Sequence, residues 1–320
     1  MNLLVTGGAG FIGSHVCGRL LRDGHAVWAF DDLNPFYDPQ LKRANIRELQ
    51  SLAKPFEFVQ GDITDRVALG ELFGSVRFDQ VIHLAARAGV RPSLLEPALY
   101  QRVNVEGTVN LLEAARLNGV KKLTLASSSS VYGVNAKVPF SESDPIFSAI
   151  SPYAASKLAC EALGHVYHHV YGFDVAVLRF FTVYGPRQRP DLAIRKFAAL
   201  IKAGKPIEVY GDGSTARDYT YVDDIVDGVV ACTGRDFGYE IFNLGESQTV
   251  TLARLVELIE QSLGMKAVIE RKPVQPGDVP ITFANVEKAQ AKLGYQPRVK
   301  IEQGIPRFVE WFNNSAGETK

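Results

Sequence analysis

Seven residues near the start of the chain, Gly7-Gly8-Ala9-Gly10-Phe11-Ile12-Gly13, constrain its fold more than any other stretch. They follow the apolar run Asn2-Leu3-Leu4-Val5-Thr6 and precede a helix-like segment from Ser14 to Arg22. Strand, glycine turn and helix is the local order that a dinucleotide site needs. Glycine at 7 permits a tight turn with positive φ. Glycine at 10 leaves room for a pyrophosphate beside the backbone, and glycine at 13 lets the helix pack close to the strand. The pyrophosphate then sits on the free N–H groups of the helix N-terminus. The spacing is G-x-x-G-x-x-G rather than G-x-G-x-x-G, and the same residues also suit a tight turn that holds no ligand. What the rest of the chain builds on this turn decides between the two.

The next apolar run, Ala26-Val27-Trp28-Ala29-Phe30, ends at Asp31-Asp32. Asp31 lies 18 residues past Gly13, near the roughly 20 expected of an acid that binds a ribose 2′-hydroxyl. A carboxylate there repels a 2′-phosphate, and Asp32 adds to the repulsion, so the expected cofactor is NAD. Further strands are expected at Phe56–Val59, Gln80–Leu84, Lys122–Ala126 and Val175–Phe180, with helices between them, including one from Pro97 to Leu117. That alternation predicts an α/β fold with a parallel, doubly wound, Rossmann-type sheet. Ligands then lie at the carboxyl ends of the strands. Asp62 stands at one such end and can accept from an adenine amino group, while Asp65 suits the cap of the following helix. After Phe181 the alternation stops, and helices are expected at 191–203, 222–233, 250–263, 286–292 and 302–313. The expected division is a cofactor domain over 1–180, joined by a returning segment at about 214–236, and a smaller mixed α/β domain over 181–320.

Bulk properties exclude several classes. Lys plus Arg and Asp plus Glu both number 35, so no net charge points to nucleic acid or an anionic membrane. No apolar run reaches the roughly 18 residues of a membrane span, and Met1 leads directly into the first strand, so no leader is expected. Cys17, Cys160 and Cys232 are far apart and odd in number, which fits a reducing cytoplasm rather than a disulfide framework. His165, His168 and His169 lack the companions of a metal motif, so no metal is expected.

Tyr153 and Lys157 are four apart on an expected helix that opens Ser151-Pro152, so they share a face. A free tyrosine, with a pKa of about 10, is a poor base at neutral pH. A nearby ammonium and an oxidised nicotinamide stabilise its phenolate. The strand ending at Ala126 runs into Ser127-Ser128-Ser129-Ser130, where Ser128 or a neighbour can hold a substrate oxygen while its proton leaves.

With these parts in order, the chain resembles the extended short-chain dehydrogenase/reductases, and within them the nucleotide-sugar epimerases and dehydratases. The resemblance spans essentially the whole sequence. It rests on Gly7–Gly13, Asp31, Asp62, His83-Leu84-Ala85-Ala86, Asn104, Tyr153/Lys157, the run Arg179 to Pro186 and the run Arg217 to Asp224. It implies a tightly held NAD, touched by Gly7, Gly10, Phe11, Ile12, Gly13, Asp31, Asp32, Asp62, Ile63, Leu84, Ala85, Ala86, Tyr153 and Lys157. It implies a UDP- or dTDP-sugar in the cleft, with Arg217 on the diphosphate and Asp278 near the nucleoside ribose, and a homodimer formed through the helices around 97–117 and 151–170. Gly89, Val90, Arg91, Ser128, Ser129, Ser130, Thr182, Arg189, Val209 and Tyr210 complete the expected substrate site.

The shared first step has Tyr153 take the proton of the sugar 4-hydroxyl. Dehydratases that resemble this chain carry Asp-Glu where Ser129-Ser130 stand, and decarboxylases carry Glu at the Ser130 position. The simplest outcome without those acids is 4-epimerisation. The stretches Asp31–Asp38, Ala86–Arg91 and Phe181–Asp191 look like those of UDP-glucuronate 4-epimerases, and Thr182 stands where galactose-type epimerases have asparagine. A UDP-glucose 4-epimerase and a UDP-glucuronate decarboxylase remain the alternatives. A uronate carboxylate would be held by the serine run, Thr182 and Arg189.

Overall fold

The computed structural model describes residues 1–135, 137–146, 148–273 and 279–315. Asp278 therefore lies outside the described residues. The first half alternates strand and helix: β1 (Asn2–Thr6), α1 (Phe11–Arg22), β2 (Ala26–Asp31), α2 (Pro39–Ser51), β3 (Phe56–Gln60), α3 (Arg66–Ser75) and β4 (Gln80–His83). A short α4 (Val90–Leu95) and α5 (Pro97–Tyr100) follow, then a wide π-helical turn (Gln101–Glu106), α6 (Gly107–Leu117) and β5 (Lys122–Ser128). A 3-10 turn (Ser129–Tyr132), α7 (Pro152–Tyr171) and β6 (Asp174–Phe180) complete this half.

The second half contains β7 (Thr182–Tyr184), α8 (Ala193–Lys202), β8 (Ile207–Tyr210), β9 (Ala216–Tyr221), α9 (Val222–Ala231) and β10 (Tyr239–Leu244). It ends with β11 (Thr249–Thr251), α10 (Leu252–Leu263), β12 (Ile269–Lys272), α11 (Glu287–Leu293) and α12 (Ile301–Ser315).

Seven parallel strands form the large sheet in the order β10-β6-β5-β4-β1-β2-β3. The chain reverses direction across the sheet between β1 and β4, and that switch point opens the crevice in which such folds bind ligands. Both faces of the sheet are covered by helices, so its strands are apolar throughout: Leu3, Leu4, Val5, Val27, Val81, Ile82, Val175 and Val177 are fully buried. Small sheets, β11-β9-β7 and β12-β8, are built from strands of the second half.

Local chemistry sets the boundaries. Ser151 Oγ accepts from the Ala154 N–H at 3.1 Å, with Pro152 as the first helical residue, and so fixes the start of α7. Asp65 accepts from the Val67 and Ala68 N–H groups and starts α3, the capping role expected of it.

Two features depart from the sequence reading. The run Pro97–Leu117 is not one α-helix; it widens at Gln101–Glu106, which turns Asn104 inward. And β10, from the second half of the chain, adds the outer strand beside β6.

Candidate active site

The glycine turn has the geometry its spacing asks for. Gly7 has φ of +70°, and a Cβ on Gly13 would lie 2.1 Å from the Gly7 carbonyl oxygen. Only glycine lets α1 approach β1 this closely. Gly7, Gly10, Phe11, Ile12 and Gly13 line one side of a cleft at the switch point. Asp31, Asp32, Asp62, Ile63, Leu84, Ala85 and Ala86 line it from the ends of β2, β3 and β4. Asp62 also accepts from the Thr64 N–H at 2.8 Å.

Asp31 is not a bare carboxylate. Its Oδ1 accepts from the Leu33 N–H and from Lys42 Nζ, both at 2.9 Å, and Lys42 Nζ stands 3.7 Å from Asp32. Lys42 comes from the first turn of α2, its side chain is buried, and it lines the cleft. Sequence reading missed it. The two aspartates therefore repel a 2′-phosphate with about one charge rather than two.

The chemical end of the cleft joins Ser128, at the end of β5, to Tyr153 and Lys157 on α7. Lys157 is buried and donates to the Ala126 carbonyl at 2.8 Å. Tyr153 is half-buried, with the Tyr100 ring edge-on at 6.1 Å. Ser127 Oγ is committed to Glu161, whereas Ser128 Oγ donates to Ser130 Oγ at 3.1 Å and accepts from the Ser130 N–H. Both serines line the cleft, and Ser128 is the one whose partner is another hydroxyl rather than a buried carboxylate.

Asn104, aimed by the wide helical turn, accepts from the Arg87 N–H at 2.7 Å and donates to the Arg87 carbonyl and to Ser156 Oγ. It ties the loop after β4 to the tyrosine helix. Beneath that loop His83 is buried between Thr6 Oγ1 at 2.6 Å and Thr108 Oγ1 at 3.0 Å. Burial, with the Lys157 charge adding to it, pushes its pKa down to about 3, so it is neutral.

The expected substrate residues divide. Gly89, Ser128, Thr182 and Arg189 line the cleft. Ser129 and Ser130 lie in the 3-10 turn directly behind Ser128. Val90 and Arg91 open α4, and the Arg91 guanidinium stacks 4.6 Å over the Tyr210 ring at the end of β8. Val209 is packed in the core. Arg217 lies on β9 and donates to the Ala216 carbonyl. Ser129, Ser130, Val90, Arg91, Val209, Tyr210 and Arg217 are not among the residues lining the cleft.

Arg189 makes a two-pronged pair with Asp191, at 3.0 and 2.8 Å, and stacks over Phe36. Arg87 stacks on the same ring, so Phe36 bridges three loops at the cleft mouth; it too was missed. The loop carrying Arg189 is pinned to α1 through Arg187, which has φ of +62° and donates to Ser14 Oγ, and through the contact of His15 with the Pro186 carbonyl at 3.0 Å. Among the described residues no group of His, Cys, Asp and Glu could hold a metal ion.

A family model described as GDP-mannose 4,6 dehydratase matches residues 4–308. A UDP-glucuronate 4-epimerase of Thermodesulfobacterium geofontis is 45% identical over 309 residues, covering 96% of this chain and 95% of that protein. A crystal structure of UDP-glucuronic acid 4-epimerase from Bacillus cereus, in complex with UDP-glucuronic acid and NAD, superposes with a TM-score of 0.91. It is 34% identical, and 98% of this chain and 100% of that one are covered. A UDP-glucose 4-epimerase from Thermotoga maritima, with UDP-glucose, also superposes with a TM-score of 0.91, at 35% identity over 99% of this chain and 100% of that one.

Proposed function

The chain belongs to the GDP-mannose 4,6-dehydratase-like family of extended short-chain dehydrogenase/reductases, and on that premise we propose that it is an NAD-dependent 4-epimerase interconverting UDP-glucuronate and UDP-galacturonate without decarboxylation. The observation that carries this is the meeting of Ser128, Tyr153 and Lys157 in one cleft, with serines rather than acids at 129 and 130.

The cofactor half fits NAD: a turn that no Cβ could fill, free N–H groups at the start of α1, and a fixed carboxylate at the end of β2. NAD bound there supplies the acceptor and later the donor of hydride at the sugar C4. Tyr153 takes the 4-hydroxyl proton and later returns it. The Lys157 ammonium stabilises the tyrosinate, and Ser128 holds the C4 oxygen as it becomes a carbonyl. Once the ring has turned over, return of the hydrogen to its other face gives the epimer.

The 4-keto uronate is a β-keto acid, which loses CO2 when its C5–C6 bond lies along the carbonyl π system. Ser129, Ser130, Thr182 and Arg189 are the groups we assign to holding the carboxylate near the carbonyl plane. The Arg189–Asp191 pair favours a second reading, UDP-glucose, because it leaves that cation already neutralised. Side-by-side rates decide: we expect the higher kcat/KM on UDP-glucuronate, and a higher value on UDP-glucose would establish the second reading.

We further propose a homodimer through residues 97–117 and 151–170, supported by exposed Leu117, Val166 and Val170 on those helices. A cytoplasmic location fits three buried free thiols. Among the described residues no helix is long and apolar enough to cross a membrane.

A further inference from the structure

A buried polar layer lies one step below the reactive ends of the strands. In the sheet, Ser127 of β5 is level with Arg179 of β6, and Arg179 is level with Asn243 of β10. The next level toward the cleft begins with Ser128 beside Phe180. Glu161 enters the polar layer from α7, one turn beyond Lys157 and two beyond Tyr153. Its carboxylate accepts from Ser127 Oγ and, in a two-pronged pair, from Arg179 Nε at 2.9 Å and Nη2 at 2.7 Å. Arg179 also donates to Tyr132 Oη at 3.0 Å and stacks 4.9 Å over that ring, and Tyr132 Oη donates to Asn243 Oδ1 at 2.6 Å. Ser127, Glu161, Arg179 and Asn243 are each at least 95% buried.

This network reaches every element that carries a reacting group. Glu161 holds the Tyr153/Lys157 helix, and Ser127 holds the strand that ends in Ser128. Tyr132 closes the turn that contains Ser129 and Ser130, and Arg179 stands three residues before Thr182. A stability role alone does not require a charged pair here, because apolar side chains of similar volume usually replace a buried ion pair without loss. What the pair adds over apolar packing is direction: the flat fork of a guanidinium on a carboxylate allows one separation and one register.

We propose that Glu161 and Arg179 are positioning residues whose buried ion pair sets the register of the tyrosine–lysine helix against the serine-bearing strand end, and that this register keeps the 4-keto uronate on the epimerisation path. The inference rests on the 4-epimerase reading. When the register slips, proton return at the C4 oxygen slows, and the carboxylate leaves the carbonyl plane. The C5–C6 bond then breaks, its electron pair enters the C4 carbonyl π system, CO2 departs, and a proton from water adds at C5. A UDP-4-ketopentose, or the UDP-pentose formed from it when hydride returns to C4 from the reduced cofactor, is the sign of that leak.

The test uses the full chain with bound NAD and compares wild type with E161Q and with the apolar double variant E161M/R179M. The double variant removes both charges together and leaves only Ser127 Oγ without its partner, so it is expected to fold with a melting temperature a few degrees below that of the wild type. On UDP-glucuronate its kcat should fall about a hundredfold, as for a displacement of about 1 Å at the reacting groups. Its KM should change little, and the share of UDP-pentose among the products should rise. A folded double variant with wild-type kcat and no pentose would overturn the proposal; if the double variant does not fold, E161Q with wild-type kcat and no pentose would overturn it. A wild type inactive on UDP-glucuronate but active on UDP-glucose would overturn the uronate reading instead, and the same kcat comparison on UDP-glucose would then decide the role of the pair.

Discussion

In the proposed mechanism Tyr153 is the side chain on which the chemistry turns. Tyr100, whose ring stands edge-on to it, is committed through its hydroxyl to the Ala88 carbonyl at 3.1 Å. Tyr153→Phe should therefore lower kcat by roughly 10²–10⁴-fold, the usual worth of a positioned acid–base group, while NAD stays bound. Turnover assays together with cofactor analysis of the purified variant check this, and unchanged activity would remove Tyr153 from the mechanism.

At the cofactor end, Asp31 and Lys42 act as a pair. Replacing Asp31 by Asn leaves the buried Lys42 ammonium with a weaker partner and a 2′-phosphate within its reach. Affinity for NAD should drop roughly tenfold, about 1.4 kcal/mol, and preference should shift toward NADP. Calorimetric titration with both cofactors measures the shift; an unaltered preference would contradict the pairing argument.

Among the elements, β4 and the helices packed on it carry a pH response. His83 titrates near 6.5 when unfolded and near 3 when folded. Between those values the unfolded chain binds a proton that the folded chain refuses, so stability is lost as pH falls. The slope from this group is up to about 1.4 kcal/mol per pH unit. His83→Asn should flatten the stability profile in that window relative to wild type, as read by urea unfolding at several pH values. A wild-type slope in the variant would show that other groups carry the response.

The same scale shows what was legible in the sequence. The large sheet and the helices over it were readable because strand ends, glycines and caps are local signals: Gly7–Gly13, Asp65 and Ser151-Pro152 each act within a few residues. The helices of the second half follow their apolar spacing, as α10 and α12 do. The widened turn at Gln101–Glu106 has no local mark, since it is imposed by what Asn104 must reach. Lys42, Phe36 and Glu161 were also hidden. Their partners Asp31, Arg189 and Arg179 lie 11 to 153 residues away, and nothing in a one-dimensional pattern states such a pairing.

For the whole molecule, the proposed dimer makes a direct prediction. Val166 and Val170 are 47% and 58% exposed on α7, and Leu117 is 70% exposed at the end of α6. Apolar side chains so placed on two adjacent helices fit a surface that a second copy covers. Sedimentation should give a dimer, and V166D/V170D should give a monomer that keeps its fold. A wild-type monomer across accessible concentrations would refute the assembly.

The large sheet, the cleft and the small sheets together serve one outcome, inversion at C4 with the carboxylate retained. Following UDP-glucuronate by NMR in the presence of the purified protein tests that outcome most directly. The account predicts that UDP-galacturonate grows in and settles at an equilibrium mixture with the starting sugar. A UDP-pentose as the main product, or no change in the sugar at all, would contradict it.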